Sequence, residues 1–332
     1  MLLAESLKGD EAAFERLVDR YRRELYAHCY RMLGSVQDAE DALQESLLAA
    51  WRGLKSFEGR SSLRAWFHRV CTNACLRLSS RRPARVLSMD YGPAFHDTSE
   101  LGEWVSGPVW LEPLPDERAD FAAQEADPAV RYQRRESIEL AFIAALQHLP
   151  SNQRAVLILR DVLDFSAAET AVILETSTTS VNSALQRARK NVDARLPATT
   201  QQRELAVVGD EGQRQLVEAF VGAWERADLD ALLELLAEDA RFSMPPLPAW
   251  FDGREDVARF FAERVFETPW RLRPIRASGQ LGFACYIRQP DDDRFRLGAI
   301  NLLTLRSGKI TQISAFLDPA VYPFFDVPLE LS

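Results

Sequence analysis

The sequence predicts a multidomain protein: two all-α helical domains, the second with a helix-turn-helix, followed by an α+β domain. Three observations predict it. A length of 332 residues exceeds what one hydrophobic core usually organises. Helical periodicity runs with few breakers from Ala12 to Arg82 and again from Arg131 to Leu196, whereas from Arg271 onward it gives way to short alternating runs with a Ser307-Gly308 hairpin signal. Charge is segregated along the chain: residues 52–85 carry nine basic side chains against Glu58 alone, and residues 86–130 carry ten acidic ones against Arg118. That segregation matters more than the formal net charge of −9, which spread evenly would argue against nucleic acid.

These patterns divide the chain into a helical domain over 10–85, an acidic linker over 86–130, a helix-turn-helix domain over 131–197, a tether over 198–209 and an α+β domain over 210–326. With 47% hydrophobic and 27% charged residues the composition is that of an ordinary globular protein. No stretch approaches the roughly 18 apolar residues of a membrane span, and Met1 to Asp10 lacks a signal pattern, so no membrane association and a cytoplasmic location are expected. Cys29, Cys71, Cys75 and Cys285 are few and widely spaced, and read as small buried residues. His68, Cys71 and Cys75 share one helix but lack a fourth ligand, so neither a metal nor a cofactor is expected.

In the helix from Val36 to Leu54, Ala39, Leu43, Leu47, Ala50, Trp51 and Leu54 make one apolar face, and Asp38, Asp41 and Glu45 cluster on the opposite one. The next helix, Ser61 to Arg82, buries Leu63, Phe67, Val70, Ala74 and Leu78 and displays Trp66, Arg69 and Asn73 beside Phe57. Cations interleaved with aromatics suit a single-stranded nucleic acid, because the cations neutralise phosphates while rings stack on unpaired bases. The competing reading has Trp66 and Phe57 completing a core.

In the second domain Ser166-Ala-Ala-Glu169 is a capping box, Glu175-Thr176 a tight turn, and Ser177 the cap of a further helix. Val181, Ala184, Leu185 and Ala188 form its buried face; Thr179, Ser183, Gln186 and Lys190 point outward, flanked by Asn182 and Arg187. Amides and small hydroxyls among cations can read base edges in a major groove. A plain helical hairpin is the alternative, since Glu175 stands where such turns often carry Gly.

The third domain starts with a helix, Glu211 to Arg226, whose stripe is Leu216, Val217, Phe220, Val221 and Trp224. All four histidines precede this domain, leaving Asp239, Asp252, Asp318 and Tyr286 as its acid–base candidates. No catalysis is expected. Trp250, Phe251, Trp270 and Tyr286 suit either the lining of a pocket for a small molecule or ordinary core. In the linker, Trp110, Leu111, Pro113 and Pro115 form an apolar anchor. Because −9 follows directly on +8, the linker is read as folding back on the first domain in competition with DNA; the alternative is a solvated spacer.

Four ordered motifs carry a family resemblance: Asp38-Ala-Glu-Asp-Ala-Leu-Gln44-Glu45; Phe57 with Leu63-Arg-Ala-Trp66 and Asn73; Leu149-Pro-Ser-Asn-Gln-Arg154; and Val181-Asn-Ser-Ala-Leu-Gln-Arg-Ala-Arg189. Together they resemble the extracytoplasmic-function group of bacterial RNA polymerase sigma factors. The resemblance implies that Asp38, Asp41, Gln44 and Glu45 dock on the β′ clamp helices of core polymerase, with a second contact at the β flap. It implies that Phe57, Arg60, Ser61, Trp66 and Asn73 melt and hold the minus-ten promoter element, and that Asn182, Ser183, Gln186 and Arg187 read the minus-thirty-five element, with Thr179 and Lys190 on the same face. Ala184 and Asn182 depart from the family, many of whose members have a basic residue there. The third block is similar to SnoaL-like domains of the nuclear transport factor 2-like fold, through Glu211–Arg226, Leu235-Leu-Ala-Glu-Asp239-Ala-Arg-Phe242 and Trp250-Phe-Asp-Gly253. That likeness implies a regulatory C-terminal domain. A ligand-responsive helix-turn-helix regulator that is not a sigma subunit is the competing function.

Overall fold

The computed structural model describes residues 1–59, 61–119, 133–288 and 293–331. The chain forms two compact units, one of Met1–Arg85 with Glu117–Leu196 and one of Val86–Asp116 with Pro197–Ser332.

The helical unit begins with α1 (Leu2–Leu7), α2 (Glu11–Asp19), α3 (Arg22–Leu33), α4 (Val36–Gly53) and α5 (Leu63–Ser79). Their boundaries follow from local chemistry. Asp10 caps α2 by accepting from the Ala13 N–H, Ser35 caps α4 from the Asp38 N–H, and Ser62 caps α5 from the Ala65 N–H. Gly34, at φ +70, ends α3 and lets the chain turn directly into α4. Leu25, Cys29, Met32, Ala39, Leu43, Ala50, Phe67, Cys71 and Ala74 form the core between α3, α4 and α5. The unit's remaining helices follow a short helical turn, α6 (Ser88–Tyr91), that belongs to the other unit. They are α7 (Leu140–Gln147), α8 (Ser151–Leu157) with a π turn over Ile158–Val162, α9 (Ala167–Ile173) and α10 (Thr178–Asp193). The two helical domains pack as one compact unit: the Arg31 guanidinium donates to Ser137 Oγ at 2.8 Å, and buried Arg154 donates to the Met32 carbonyl.

The α+β unit contains α11 (Gln201–Glu225), α12 (Leu229–Leu235), α13 (Arg254–Phe260) and seven strands. These are β1 (Leu236–Ser243), β2 (Trp250–Asp252), β3 (Trp270–Ala277), β4 (Gln280–Arg288), β5 (Phe295–Arg306), β6 (Lys309–Phe316) and β7 (Glu330–Leu331). The sheet order is β2-β1-β6-β5-β4-β3 with β7 on β5; β1 and β6 run parallel and the other pairs antiparallel. Phe220, Trp224, Phe242, Phe251, Phe260, Phe261 and Phe283 fill the space between the helices and the sheet. Of the aromatics open to a pocket reading, Phe251 lies in this core and Trp270 packs against it.

Two segments expected to be connectors are structured parts of this unit. Residues 198–209 are not a free tether: α11 begins at Gln201 and is broken at Gly209 (φ +71, ψ 166) into two helical pieces. The Gln201 amide donates to the Leu305 carbonyl at 2.9 Å and accepts from its N–H at 2.6 Å, pairing both backbone groups as a neighbouring strand would. Glu204 accepts from the Ser307 N–H at 2.7 Å.

Residues 86–116 likewise form a strap within the α+β unit, which corrects the expectation that the linker folds back on the first helical domain. Val86 and Trp110 pair as a parallel bridge that closes the strap on itself. Phe95 N–H donates to the Trp250 carbonyl at 2.8 Å and Val105 N–H to the Pro246 carbonyl at 3.0 Å. Leu114 accepts from the Ser278 N–H at 2.6 Å and donates to Ser278 Oγ at 3.1 Å. The expected anchor residues Trp110, Leu111, Pro113 and Pro115 are all buried. Their burial comes from apolar packing and backbone pairing, which charge counting does not register. The rest of the acidic stretch, from Asp120 to Val130, lies outside the described residues.

Candidate nucleic-acid and partner interface

The acidic helix divides into an inner and an outer set. Asp38, expected to face a partner, is instead 4% exposed, and its carboxylate accepts from Arg82 and, at 2.5 Å, from Arg85 Nη2. It stands in the first turn of α4, where the helix dipole favours a carboxylate, and the chain leaving α5 brings two guanidinium groups onto it. Asp38 therefore anchors the end of the basic run and is not available for docking.

Asp41, Gln44 and Glu45 are exposed, with Glu45 accepting from Arg77 at 2.7 Å across an exposed pair. Beside them lies a groove of about 670 Å³ between α2 and α4. Phe14, Val18, Leu47, Leu48 and Trp51 make its apolar walls, with Glu11, Glu15, Gln44 and the cation Arg22 at its polar edge. Leu48 is 58% exposed and falls off the apolar stripe, so sequence reasoning missed it; a large apolar residue out of phase on an otherwise amphipathic helix is the signal. The face thus offers an apolar floor beside acidic groups.

On the neighbouring helix and the turn that leads into it, Trp66 and Asn73 on α5 and Phe57 and Ser61 before it are half-buried. The Phe57 and Trp66 rings lie 5.4 Å apart, and Trp66 sits 5.2 Å from the core ring of Phe67. Trp66 leans on the core and Phe57 on Trp66, and neither ring is fully enclosed. Arg60 lies outside the described residues. Arg64, from the same basic run, points inward: Nε donates to Glu24 Oε1 at 2.7 Å, Nη2 to the Leu163 carbonyl at 3.0 Å, and its plane lies 4.4 Å from the Phe165 ring centroid. Burial raises the pKa of Glu24, but the hydrogen bonds and charges of His68 and Arg64 outweigh it and hold the carboxyl well below its usual range. His68 and His28 are fully buried, and burial pulls both below the usual imidazole value.

The helix-turn-helix forms as its sequence indicates. Ser166 and Glu169 complete the reciprocal capping box, and Ser177 caps α10 from the Ser180 N–H. Glu175 takes the left-handed turn at φ +52, the conformation for which glycine is the ordinary choice. Val181, Leu185 and Ala188 are buried, Ser183 is half-buried, and Thr179, Asn182, Gln186, Arg187 and Lys190 are exposed. Arg189 is engaged with Asp161 at 2.6 Å. The polar face of α10 is therefore continuous, uncovered within its own unit and cationic at its C-terminal end. Among the described residues no group of His, Cys, Asp and Glu side chains is arranged to hold a metal ion, and no helix is long and apolar enough to cross a membrane.

Comparison with known proteins places this geometry. Residues 17–84 match Sigma-70 region 2, residues 139–192 match Sigma-70, region 4, and residues 217–313 match the SnoaL-like domain. The chain is 40% identical to the ECF RNA polymerase sigma factor SigG of Mycobacterium tuberculosis, over 99% of this chain and 86% of that relative. It is 32% identical to SigM of the same organism over 57% of this chain and 79% of SigM. In fold it resembles the crystal structure of Mycobacterium tuberculosis SigJ, with a TM-score of 0.59 and 21% identity, over 94% of this chain and 99% of that one.

Proposed function

We propose that this chain, which belongs to the extracytoplasmic-function RNA polymerase sigma factors, divides initiation among three surfaces. Asp41, Gln44 and Glu45, with the apolar groove beside them, dock on core polymerase. Phe57, Trp66 and Asn73, with Ser61 and Arg60, hold unpaired bases of the minus-ten element. Thr179, Asn182, Ser183, Gln186, Arg187 and Lys190 read the minus-thirty-five element. The carrying observation is the uncovered polar face of α10, whose inward residues are fully packed, so its outward amides and cations have no structural duty of their own. The work is done in the cytoplasm, where polymerase and promoter meet.

The α+β domain, in this reading, controls initiation and catalyses nothing. Its three aspartate candidates are spoken for: Asp239 binds Arg306 at 2.6 Å, Asp252 binds Arg241 at 2.8 Å, and Asp318 accepts from the Ala320 N–H at 2.9 Å. Tyr286 is buried, and burial raises its pKa. The indoles of Trp250 and Trp270 donate to the Gly92 and Val265 carbonyls. Control passes through the strap 86–116, which connects the two DNA-binding helical domains in sequence and is held by this domain.

Transcription by core polymerase on a duplex promoter and on the same promoter with a premelted bubble tests the minus-ten assignment. Trp66→Ala and Asn73→Ala should lose activity on the duplex and regain much of it on the bubble. Equal losses on both templates would remove the melting role, and a collapsed thermal midpoint in Trp66→Ala would return that ring to the core.

A further inference from the structure

Where the end of α5 meets α7 and α8, a cavity of about 150 Å³ opens within the helical unit. Its apolar walls include Leu33, Leu78, Leu149 and Pro150, and its polar lining carries an imbalance. Arg154, 4% exposed, donates to the carbonyls of Met32, Leu146, Gln147 and Leu149 and to Gln147 Oε1, all neutral acceptors. Among the described residues no carboxylate pairs with it, and burial brings its pKa down to about 10. Asp38, the acid of the lining, is shared by Arg82 and Arg85. Among the described residues, the Arg154 guanidinium is thus met by neutral acceptors alone.

Hydrogen-bond donors are left over at the same place. Gln147, also 4% exposed, spends its oxygen on Arg154 while its Nε2 finds no acceptor, and Ser79 Oγ is buried without a partner. Both line the cavity. A buried cation without counter-charge and a buried N–H without acceptor are each unfavourable, and one bound oxyanion relieves both. The volume corresponds to about five waters, enough for one phosphate with a small substituent and too little for a nucleotide.

We propose that this cavity binds a small free oxyanion, inorganic phosphate or a phosphomonoester of similar size, through Gln147 Nε2, Ser79 Oγ and Arg82, with Arg154 supplying the balancing charge. The lining comes from α5 and the residues after it on one side and from α7 and α8 on the other, so the anion fastens the two helical domains in their packed arrangement. The site shares no residue with the surfaces assigned above to polymerase and promoter.

Calorimetric titration of the full-length chain with inorganic phosphate, at constant ionic strength against chloride, tests this. Wild type should bind one equivalent saturably and melt at a higher temperature in phosphate. Ser79→Ala should keep its circular dichroism and bind about tenfold more weakly, the worth of one hydrogen bond to a charged group. Gln147→Glu places a carboxylate against Arg154; it should raise the phosphate-free melting point and remove the phosphate response. Absence of saturable binding to wild type, or equal phosphate stabilisation of wild type and both variants, would overturn the proposal. A small phosphomonoester that binds more tightly than phosphate identifies an organic source. A DNA duplex that displaces phosphate would put a backbone phosphate there instead and also overturn it.

Discussion

Arg69 Nη2 donates to Glu175 Oε1 at 2.5 Å, tying the exposed flank of α5 to the turn of the helix-turn-helix. The pair is exposed on both sides, so its own contribution is at most about 1 kcal/mol. Glu175 adopts φ +52, where a residue with a Cβ is disfavoured by about 1–2 kcal/mol relative to glycine. The conformational term is the larger. Glu175→Gly should therefore leave stability unchanged or raise it by up to about 1 kcal/mol, while freeing Arg69 for phosphate. Denaturant unfolding and polymerase-free DNA binding check both halves; a loss above about 1 kcal/mol would mean the ion pair dominates.

The acidic residues of α4 separate by burial into two experimental classes. Removing Asp38 takes a buried carboxylate away from two guanidinium groups, Arg82 and Arg85, so Asp38→Ala should destabilise the helical unit by about 3 kcal/mol. Asp41→Arg with Glu45→Arg should change stability little, because both side chains are exposed, yet abolish binding to core polymerase. A titration against core polymerase alongside a thermal melt distinguishes them. Loss of binding in Asp38→Ala at temperatures where it remains folded would restore Asp38 to the docking face.

Legibility of these features in the sequence tracked how local their causes are. The capping box at Ser166 and the inward set Val181, Leu185 and Ala188 depend on spacings of three and four residues, and the structure keeps them. Asp38 failed because a helical wheel gives the direction of its side chain but not what arrives to cover it; its arginines come from 44 and 47 positions later. The piece of α11 before Gly209 looked like a tether because its attachments are amide-to-backbone hydrogen bonds from Gln201 and Gln202, which leave no apolar stripe. Leu48 stands outside the apolar stripe of its helix, so the helical wheel gave no reason to single it out, yet it lines the groove between α2 and α4.

Acidification should unfold the helical unit early. His28 is fully buried, bonded to Thr72 Oγ1 at 2.9 Å and surrounded by His68, Arg31, Glu24 and Arg64; burial first and then the neighbouring cations put its pKa well below 6.5. His68 is lowered as well, chiefly by burial. The unfolded chain binds these protons near pH 6.5 and the folded chain does not, so stability falls as pH drops below that value, by about 1.4 kcal/mol per unit for each group that stays neutral. Glu24 acts in the same direction at lower pH, since its depressed pKa contributes stability that is lost as pH falls through the folded value. Urea unfolding at pH 7.0 and about 5.5 should show the drop, and His28→Gln should shrink it. A wild-type stability equal at both pH values would sink the assignment.

The strap's hold on the α+β domain should depend on packing and not on its charge. Leu114 is fully buried, accepts from the Ser278 N–H and donates to the Ser278 hydroxyl, whereas Glu100 and Glu103 are exposed. Truncating a buried leucine typically costs about 2–5 kcal/mol, and within a peripheral segment that loss falls first on local opening rather than on global unfolding. Leu114→Ala should therefore make residues 86–116 protease-sensitive in the full-length chain while the sheet melts near its wild-type temperature. Glu100→Gln with Glu103→Gln should leave cleavage unchanged, and so should added salt, because attraction between solvent-exposed charges is weak and screened. Mass spectrometry of timed digests locates the cuts. Faster cleavage of the charge-neutralised variant, or of wild type in high salt, would mean that electrostatic attraction holds the strap and that its apolar contacts are secondary. If packing governs, any factor that opens this segment must compete for the Leu114 and Trp110 sites themselves, and a change of ionic strength alone will not release it.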